Sequence, residues 1–261
     1  MTKTLGVGVL TGWGAGVPAL PEDARRAAGA RRIVPMARPA ITGERFRRAT
    51  RESLLGVAAV DAALRDSGLD RAAVAGSQTA LVYVTAAAYG ASNKGFIVSE
   101  MDSGSARPYF PYTAPSAVPA EVAIEYGLTG GYVILVGGAT ATVDALWQAS
   151  VLLAAGRATI ALVLAVETFE ECADLWARGR WTTPRPLVEA AACAVLTGQG
   201  QDVAYGPGEA SALETMVARR AGETLSCAPL VGLALARAAG MSSARVTGHW
   251  RGRRAQIAVA T

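Results

Sequence analysis

Along the chain, short runs in which nearly every position is apolar alternate with longer stretches whose apolar residues return every three or four positions. The first kind has strand length, and the second has helical spacing. "TALVYVT" (Thr79 to Thr85) and "TIALVLAV" (Thr159 to Val166) are apolar on both faces, the pattern of strands buried between helix layers. "TLGVGVLTG" (Thr4 to Gly12) predicts a strand that ends in glycine. In "RRATRESLLGVAAVDAALRDSGLD" (Arg47 to Asp70), Leu54, Val57, Ala58 and Leu64 recur at helical spacing, with Thr50 placed to cap the start and Gly68 to end the helix. "PAEVAIEYGLTG" predicts a helix ending at Gly127, and "YVILVGGATATVDALWQAS" (Tyr132 to Ser150) a strand, a tight glycine turn and a helix that Gly156 terminates. "TFEECADLWARGRW" predicts a further helix, and "LVEAAACAVLTG" a further strand after a proline turn. Between Tyr89 and Pro119 a short helix gives way to a loop punctuated by proline and tyrosine.

This alternation through residue 198 predicts an α/β layered domain around a mostly central sheet. Beyond Gly198 the pattern weakens to two helices, in "EASALETMVARRAG" and "CAPLVGLALARAAG", and a closing hairpin of "ARVTGHW" and "RAQIAVAT".

Composition narrows the function classes. The 261 residues are 51% hydrophobic and 18% charged, which permits a large core and points to further apolar surface covered in an oligomer. The net charge of +4 comes from arginine clusters: Arg25, Arg26, Arg31, Arg32 and Arg38, then Arg45, Arg47, Arg48 and Arg51, and finally Arg251, Arg253 and Arg254. Aromatic residues are scarce and do not interleave with these clusters, which argues against single-stranded nucleic acid, whose bases need stacking platforms. The arginines fit a solvated surface, or a docking patch for an acidic protein.

The three cysteines, Cys172, Cys193 and Cys227, form no CxxC pair, and His249 is the only histidine. A structural zinc site needs about four such ligands at tight spacing, so no metal is expected. The odd cysteine count suits a reducing compartment. The N-terminal stretch carries no signal-peptide core, and no apolar run approaches the roughly 18 residues of a membrane span. A cytoplasmic chain without membrane contact is the expectation. Gly12, Gly14 and Gly16 are followed by Pro18 and Pro21, where a dinucleotide fingerprint would need a helix.

The chemistry-bearing candidate is the turn Gly137–Gly138–Ala139–Thr140. A strand–turn–helix of this kind presents a nucleophile in many enzymes, yet the turn here offers Ala139. The Thr140 and Thr142 hydroxyls would need a base to react, and they are expected to cap the helix. Cys227, in "LSCAPLVG", with His249 as its base forms a second candidate, weighed against the commoner role of a lone cysteine as a small buried residue.

Taken in order, several segments resemble β-ketoacyl synthases of the thiolase superfamily. "VLTGWGAGVPAL" is similar to their opening strand and turn, "ALRDSGLD" to their "ALxDAGLD", and "FPYTAPSAVPAEVAIEYGLTGGYVIL" to "PNxxAGxVAIxxGLxGP". "VGGATATVDALWQASVLLAAGRATIALVLAVET" parallels the nucleophile segment "DTACSSSLxALxxAxxxLxxGxxDxALAGGxE", and "RPLVEAAACAVLTG" a shortened "RPFDxxxxGxxxGEGAAxxVL". "GHWRGRRAQIAV" stands for the closing "GFGGTNAHVV".

The resemblance implies a thiolase-like layered fold with a complete first half and an abbreviated second half. Residues 1–261 would form one domain, with 1–198 as the core half and 199–261 as a reduced C-terminal part. It also places Ala139 where the family carries its cysteine nucleophile, and His249 on neither of the family's catalytic histidines. A non-catalytic chain-length-factor subunit of a type II polyketide synthase is implied, most like the compact factors of highly reducing, polyene-making systems. No cofactor is implied. Its partners would be an active ketosynthase, as a heterodimer, and an acyl carrier protein bearing an acyl or polyene chain. Tyr132, Val133, Ile134, Leu135 and Val136 would form the subunit interface. Phe110, Tyr112, Thr113 and Ser116, in "PYFPYTAPSA" (Pro108 to Ala117), would line the substrate tunnel. Two alternatives stay open: an enzyme whose chemistry has moved to Cys227 and His249, and a homodimeric scaffold that binds carrier proteins.

Overall fold

The computed structural model describes residues 2–47, 49–103, 107–169, 185–198 and 204–261. β1 (Lys3–Thr11) turns back as β2 (Gly14–Ala15); α1 (Ala24–Ala28) and β3 (Ile33–Val34) follow on the surface. Then come α2 (Arg51–Ser67), α3 (Arg71–Val74), β4 (Thr79–Thr85), α4 (Gly90–Ser103), a 3-10 segment (Arg107–Thr113) and α5 (Ala117–Tyr126). β5 (Tyr132–Val136), α6 (Ala139–Ala154), β6 (Ile160–Glu167), β7 (Leu187–Val188) and β8 (Ala190–Thr197) continue the alternation. β9 (Tyr205–Pro207), α7 (Ala212–Arg220), α8 (Ala228–Ala238) and the hairpin β10 (Ser243–Trp250) and β11 (Arg253–Ala260) complete it. The helix expected in "TFEECADLWARGRW", with Cys172, lies outside the described residues. The expected caps of α2 hold: the Thr50 side chain accepts from the Ser53 amide, and Gly68 is left-handed at φ 70°. The helix after Tyr89 runs for 14 residues, longer than the sequence pattern suggested.

One mixed sheet runs in the order β10–β11–β1–β8–β6–β4–β5. β4 is parallel to β5 and β6, whereas β8 runs antiparallel to both β6 and β1. The continuous apolar runs explain why this sheet is central. Leu81, Tyr83, Leu162 and Leu164 pack on one face against α2 and α5. Val82, Val84, Ala161 and Val163 pack on the other against α6 and α8. On β1 the glycines have a specific use. A Cβ on Gly8 would lie 2.4 Å from the Ala59 carbonyl oxygen, so only glycine lets α2 rest directly on this strand. β11 joins β1 in parallel through the register pair Lys3–Ala260, and the hairpin shares the α6–α8 core through Val246, Ile257 and Val259. The sheet therefore curls so that its C-terminal strands cover the outer side of α6. The loops after β4, β5 and β6 and the start of β8 converge at one end of the sheet, where open α/β sheets place their binding sites.

Candidate functional site: the start of helix α6

Ala139 is the first residue of α6 and is buried, with 7% of its surface exposed. Gly138 is the N-cap, without a side-chain cap hydrogen bond. Thr140 and Thr142 are thus not the caps the sequence suggested. Thr142 instead donates its hydroxyl to the Ser226 carbonyl at 2.5 Å, because the 3-10 turn Leu225–Cys227 packs on the first turn of α6. β10 seals the helix start from the other side. A Cβ on Gly138 would lie 2.3 Å from the Trp250 ring, and one on Gly248 would lie 2.3 Å from the Ala139 carbonyl oxygen. The two glycines let β10 press directly on the turn. Beside it remains a cavity of about 110 Å³ that reaches Ala139, Glu214, Glu223, Thr247 and His249. Burial raises the Glu223 carboxyl, which accepts from the Leu225 amide at 3.1 Å.

Two buried carboxylates brace the surrounding loops. Glu189 accepts both guanidinium nitrogens of Arg51, at 2.6 and 2.9 Å, and the amides of Met36 and Phe169, each at 2.7 Å. It ties the start of β8 to the start of α2. Glu167, at the end of β6, accepts the amides of Ala86 (2.7 Å), Ala87 (2.9 Å) and Ser226 (3.3 Å), together with the Ser226 hydroxyl. Its burial dominates these bonds and pushes the carboxyl up to about 7. Sequence reasoning did not single out Glu167, although an acidic residue closing an otherwise apolar strand was a visible signal. Trp250 and Gly248 carried no such signal, because their role comes from a strand nearly 110 positions away along the chain.

The alternative pair does not assemble as a dyad. Cys227 is fully buried, its thiol donates to the Ala190 carbonyl at 3.4 Å, and burial raises it well above its ordinary value. His249 lies on an exposed position of β10. A neutral thiol aimed at a carbonyl is not a nucleophile. Among the described residues no group of three or more His, Cys, Asp or Glu is arranged to hold a metal ion, and no helix is long and apolar enough to cross a membrane.

β5 is the edge strand of the sheet. Val133 and Leu135 pack towards α6 and Ile134 towards α2 and α5, while Tyr132 and Val136 are 55% and 59% exposed. Phe110 is 65% exposed on the 3-10 segment and meets Phe96 edge-to-face at 5.9 Å. Tyr112 and Ser116 are half-buried, as is Thr113, which donates its hydroxyl to the Phe110 carbonyl at 2.8 Å. None of these four residues lines the cavity beside Ala139.

A mixed sheet between helices, with a strand–turn–helix at the convergence of its loops, defines the class. Residues 37–210 match the model of the family described as Beta-ketoacyl synthase, N-terminal domain, and the chain belongs to that family. The fold is thiolase-like. Similar solved structures include the ishigamide ketosynthase/chain length factor, at 16% identity with 98% of each chain covered and a TM-score of 0.70. Another is a type II PKS acyl-carrier protein in complex with its ketosynthase, at 14% identity, covering 100% of this chain and 99% of that one, with a TM-score of 0.77. A third is a ketosynthase in complex with its chain length factor from Xenorhabdus doucetiae, at 15% identity, covering 100% of this chain and 99% of that one, with a TM-score of 0.64. No curated protein sequence matches the chain.

Proposed function

We propose that this chain is a non-condensing member of its family, a chain-length-factor-like subunit that lends shape to an active ketosynthase. The observation that carries the reading is Ala139: the helix start where the family holds a thiol carries a methyl group, under the cover of Trp250 and Gly248. A methyl can neither accept an acyl group nor be activated by a base. The open edge of β5 supports a partner. An exposed apolar edge is a liability in a monomer, and pairing it with the matching strand of a ketosynthase extends one sheet across two chains. On this reading Phe110, Tyr112, Thr113 and Ser116 face the tunnel shared with that partner, which holds a carrier-bound acyl or polyene chain in the cytoplasm.

Co-expression with a ketosynthase that retains its cysteine, followed by size-exclusion chromatography, tests the reading. Co-elution at one-to-one stoichiometry is expected. A well-behaved monomer that ignores the ketosynthase would overturn it, and a stable homodimer would favour the scaffold reading instead.

A further inference from the structure

Two arginine surfaces of the chain differ in how their charge is met. Around α2 and α5, Arg45 pairs with Glu121 and Glu125, Arg65 with Asp61, and Arg71 with Asp61 and Glu125. Where α1 packs against α7, none of Arg25, Arg26, Arg31, Arg32, Arg219 and Arg220 forms an ion pair among the described residues. Arg220 donates to the carbonyls of Pro21 at 3.2 Å and Leu20 at 2.9 Å. Arg31 donates to the carbonyls of Ala27 and Ala28 and lies over the Trp13 ring, whose N–H bonds the Ala221 carbonyl at the end of α7. Carbonyl oxygens fix a guanidinium in place without cancelling its charge. Arg26 and Arg219 are exposed, and their side chains make no hydrogen bond among the described residues. An open groove of about 860 Å³ is lined by Arg26, Arg219 and Arg220 and by Met216, which is 39% exposed. Its two acids leave the arginines unpaired: Glu22 is exposed, and Asp23 caps α1 by accepting from the Arg26 amide at 2.8 Å.

We infer that this groove is the docking site for an acidic amphipathic helix of a partner protein, whose carboxylates meet Arg26 and Arg219 while an apolar side chain seats on Met216. Gathered, unpaired cations attract an oppositely charged surface, and the planar guanidinium fork matches a carboxylate. An exposed methionine adapts its shape to an apolar partner group. The groove has no aromatic platform among its lining residues, which disfavours single-stranded nucleic acid, and a concave site does not fit the flat plane of a membrane. α7 packs on β10, at the other end of the sheet order from β5. The groove and the edge strand therefore take separate partners, and the inference does not rest on the proposed function.

Fluorescence anisotropy of the full chain with a labelled helical peptide, glutamate on one face and leucine on the other, tests the inference. Saturable binding at low salt that weakens as salt is added is expected. Arg26→Glu combined with Arg219→Glu should weaken it by at least about tenfold, and Met216→Gln by about threefold. Arg65→Glu combined with Arg157→Glu removes the same charge from exposed positions elsewhere and should change it by less than about twofold. If the groove double variant does not fold, Arg26→Gln combined with Arg219→Gln decides, with a loss of at least about threefold expected. No saturable binding would overturn the inference, and so would an equal loss in the groove and control variants. Equal binding of a leucine-free glutamate peptide, or tighter binding of phosphatidylglycerol vesicles or a DNA oligonucleotide, would also refute it.

Discussion

The two ends of one strand–turn–helix unit have been treated in opposite ways. β5 stands at the rim of the sheet, with Tyr132 and Val136 exposed. Two residues after β5 ends, the start of α6 lies under β10, so close that neither Gly138 nor Gly248 has room for a methyl group. In an enzyme that acylates itself, the helix start would need to be open. On the proposed reading, the helix start where chemistry would sit is closed, and the strand proposed for association is open. That inversion is what a subunit contributing surface, rather than catalysis, requires.

The largest effect is expected where the closure is tightest. Gly248→Ala drives a Cβ into the Ala139 backbone, and overpacking against a backbone that cannot yield should cost about 3 kcal/mol or more. Gly131, just before β5, has nothing within 4 Å of its Cβ direction, so Gly131→Ala should stay within about 0.5 kcal/mol. Chemical denaturation of the two variants side by side measures the contrast. Equal stabilities would break the comparison.

Next comes the carboxylate that braces the closed side. The folded chain holds the Glu167 proton up to about pH 7, against an ordinary value of 4.5, so the unfolded chain releases it first. The resulting stability is present in full below about pH 4.5 and is lost as pH rises through 7. Over that window the native chain should lose about 3 kcal/mol relative to Glu167→Gln, at 1.4 kcal/mol per unit. Thermal melts of both proteins at pH 5, 6, 7 and 8 would show the gap closing or reversing. A gap that does not change with pH removes Glu167 as its source.

The closed helix start also marks how far the sequence could be read. The strands and helices were legible because burial on both faces of the sheet leaves uninterrupted apolar runs such as Leu162 to Val166, and because Thr50 and Gly68 punctuate α2. The bare position at Ala139 was legible for the same local reason, as one turn in a strand–turn–helix. Its cover was not. Trp250 and Gly248 belong to a different element, and a one-dimensional pattern does not record which strand lies over which helix. Thr142 shows the same limit: its hydroxyl prefers the Ser226 carbonyl, brought there by packing, over a local capping bond.

On the open side, the expected effect falls on association. Val136→Lys places a charge at an exposed edge position, where the isolated fold should lose at most about 0.5 kcal/mol. Pairing of that edge with a partner strand should weaken by about tenfold to a hundredfold, since one exposed charge is a device proteins use to block edge pairing. Pull-down from a co-expressing cell, with the melting temperature of the free chain as control, separates the two. Undiminished capture of the ketosynthase would move the interface away from β5.

The smallest effect belongs to the residue that raised the question. Ala139→Cys adds one sulfur at a position that is 7% exposed, and the nearby cavity gives it some room, so the stability change should be about 1 kcal/mol. Restoring the thiol should not restore condensation. The dipole of α6 would favour a thiolate there, but Trp250 and β10 press on the turn, and the chain has one histidine, His249, where the resemblance implies two catalytic ones. Incubation with a radiolabelled acyl thioester, with and without a ketosynthase, reads the outcome directly. Label that stays at background on Ala139→Cys means the seal acts on access as well as on composition. Turnover by the variant alone would mean that the missing sulfur was the only thing separating this chain from its condensing relatives.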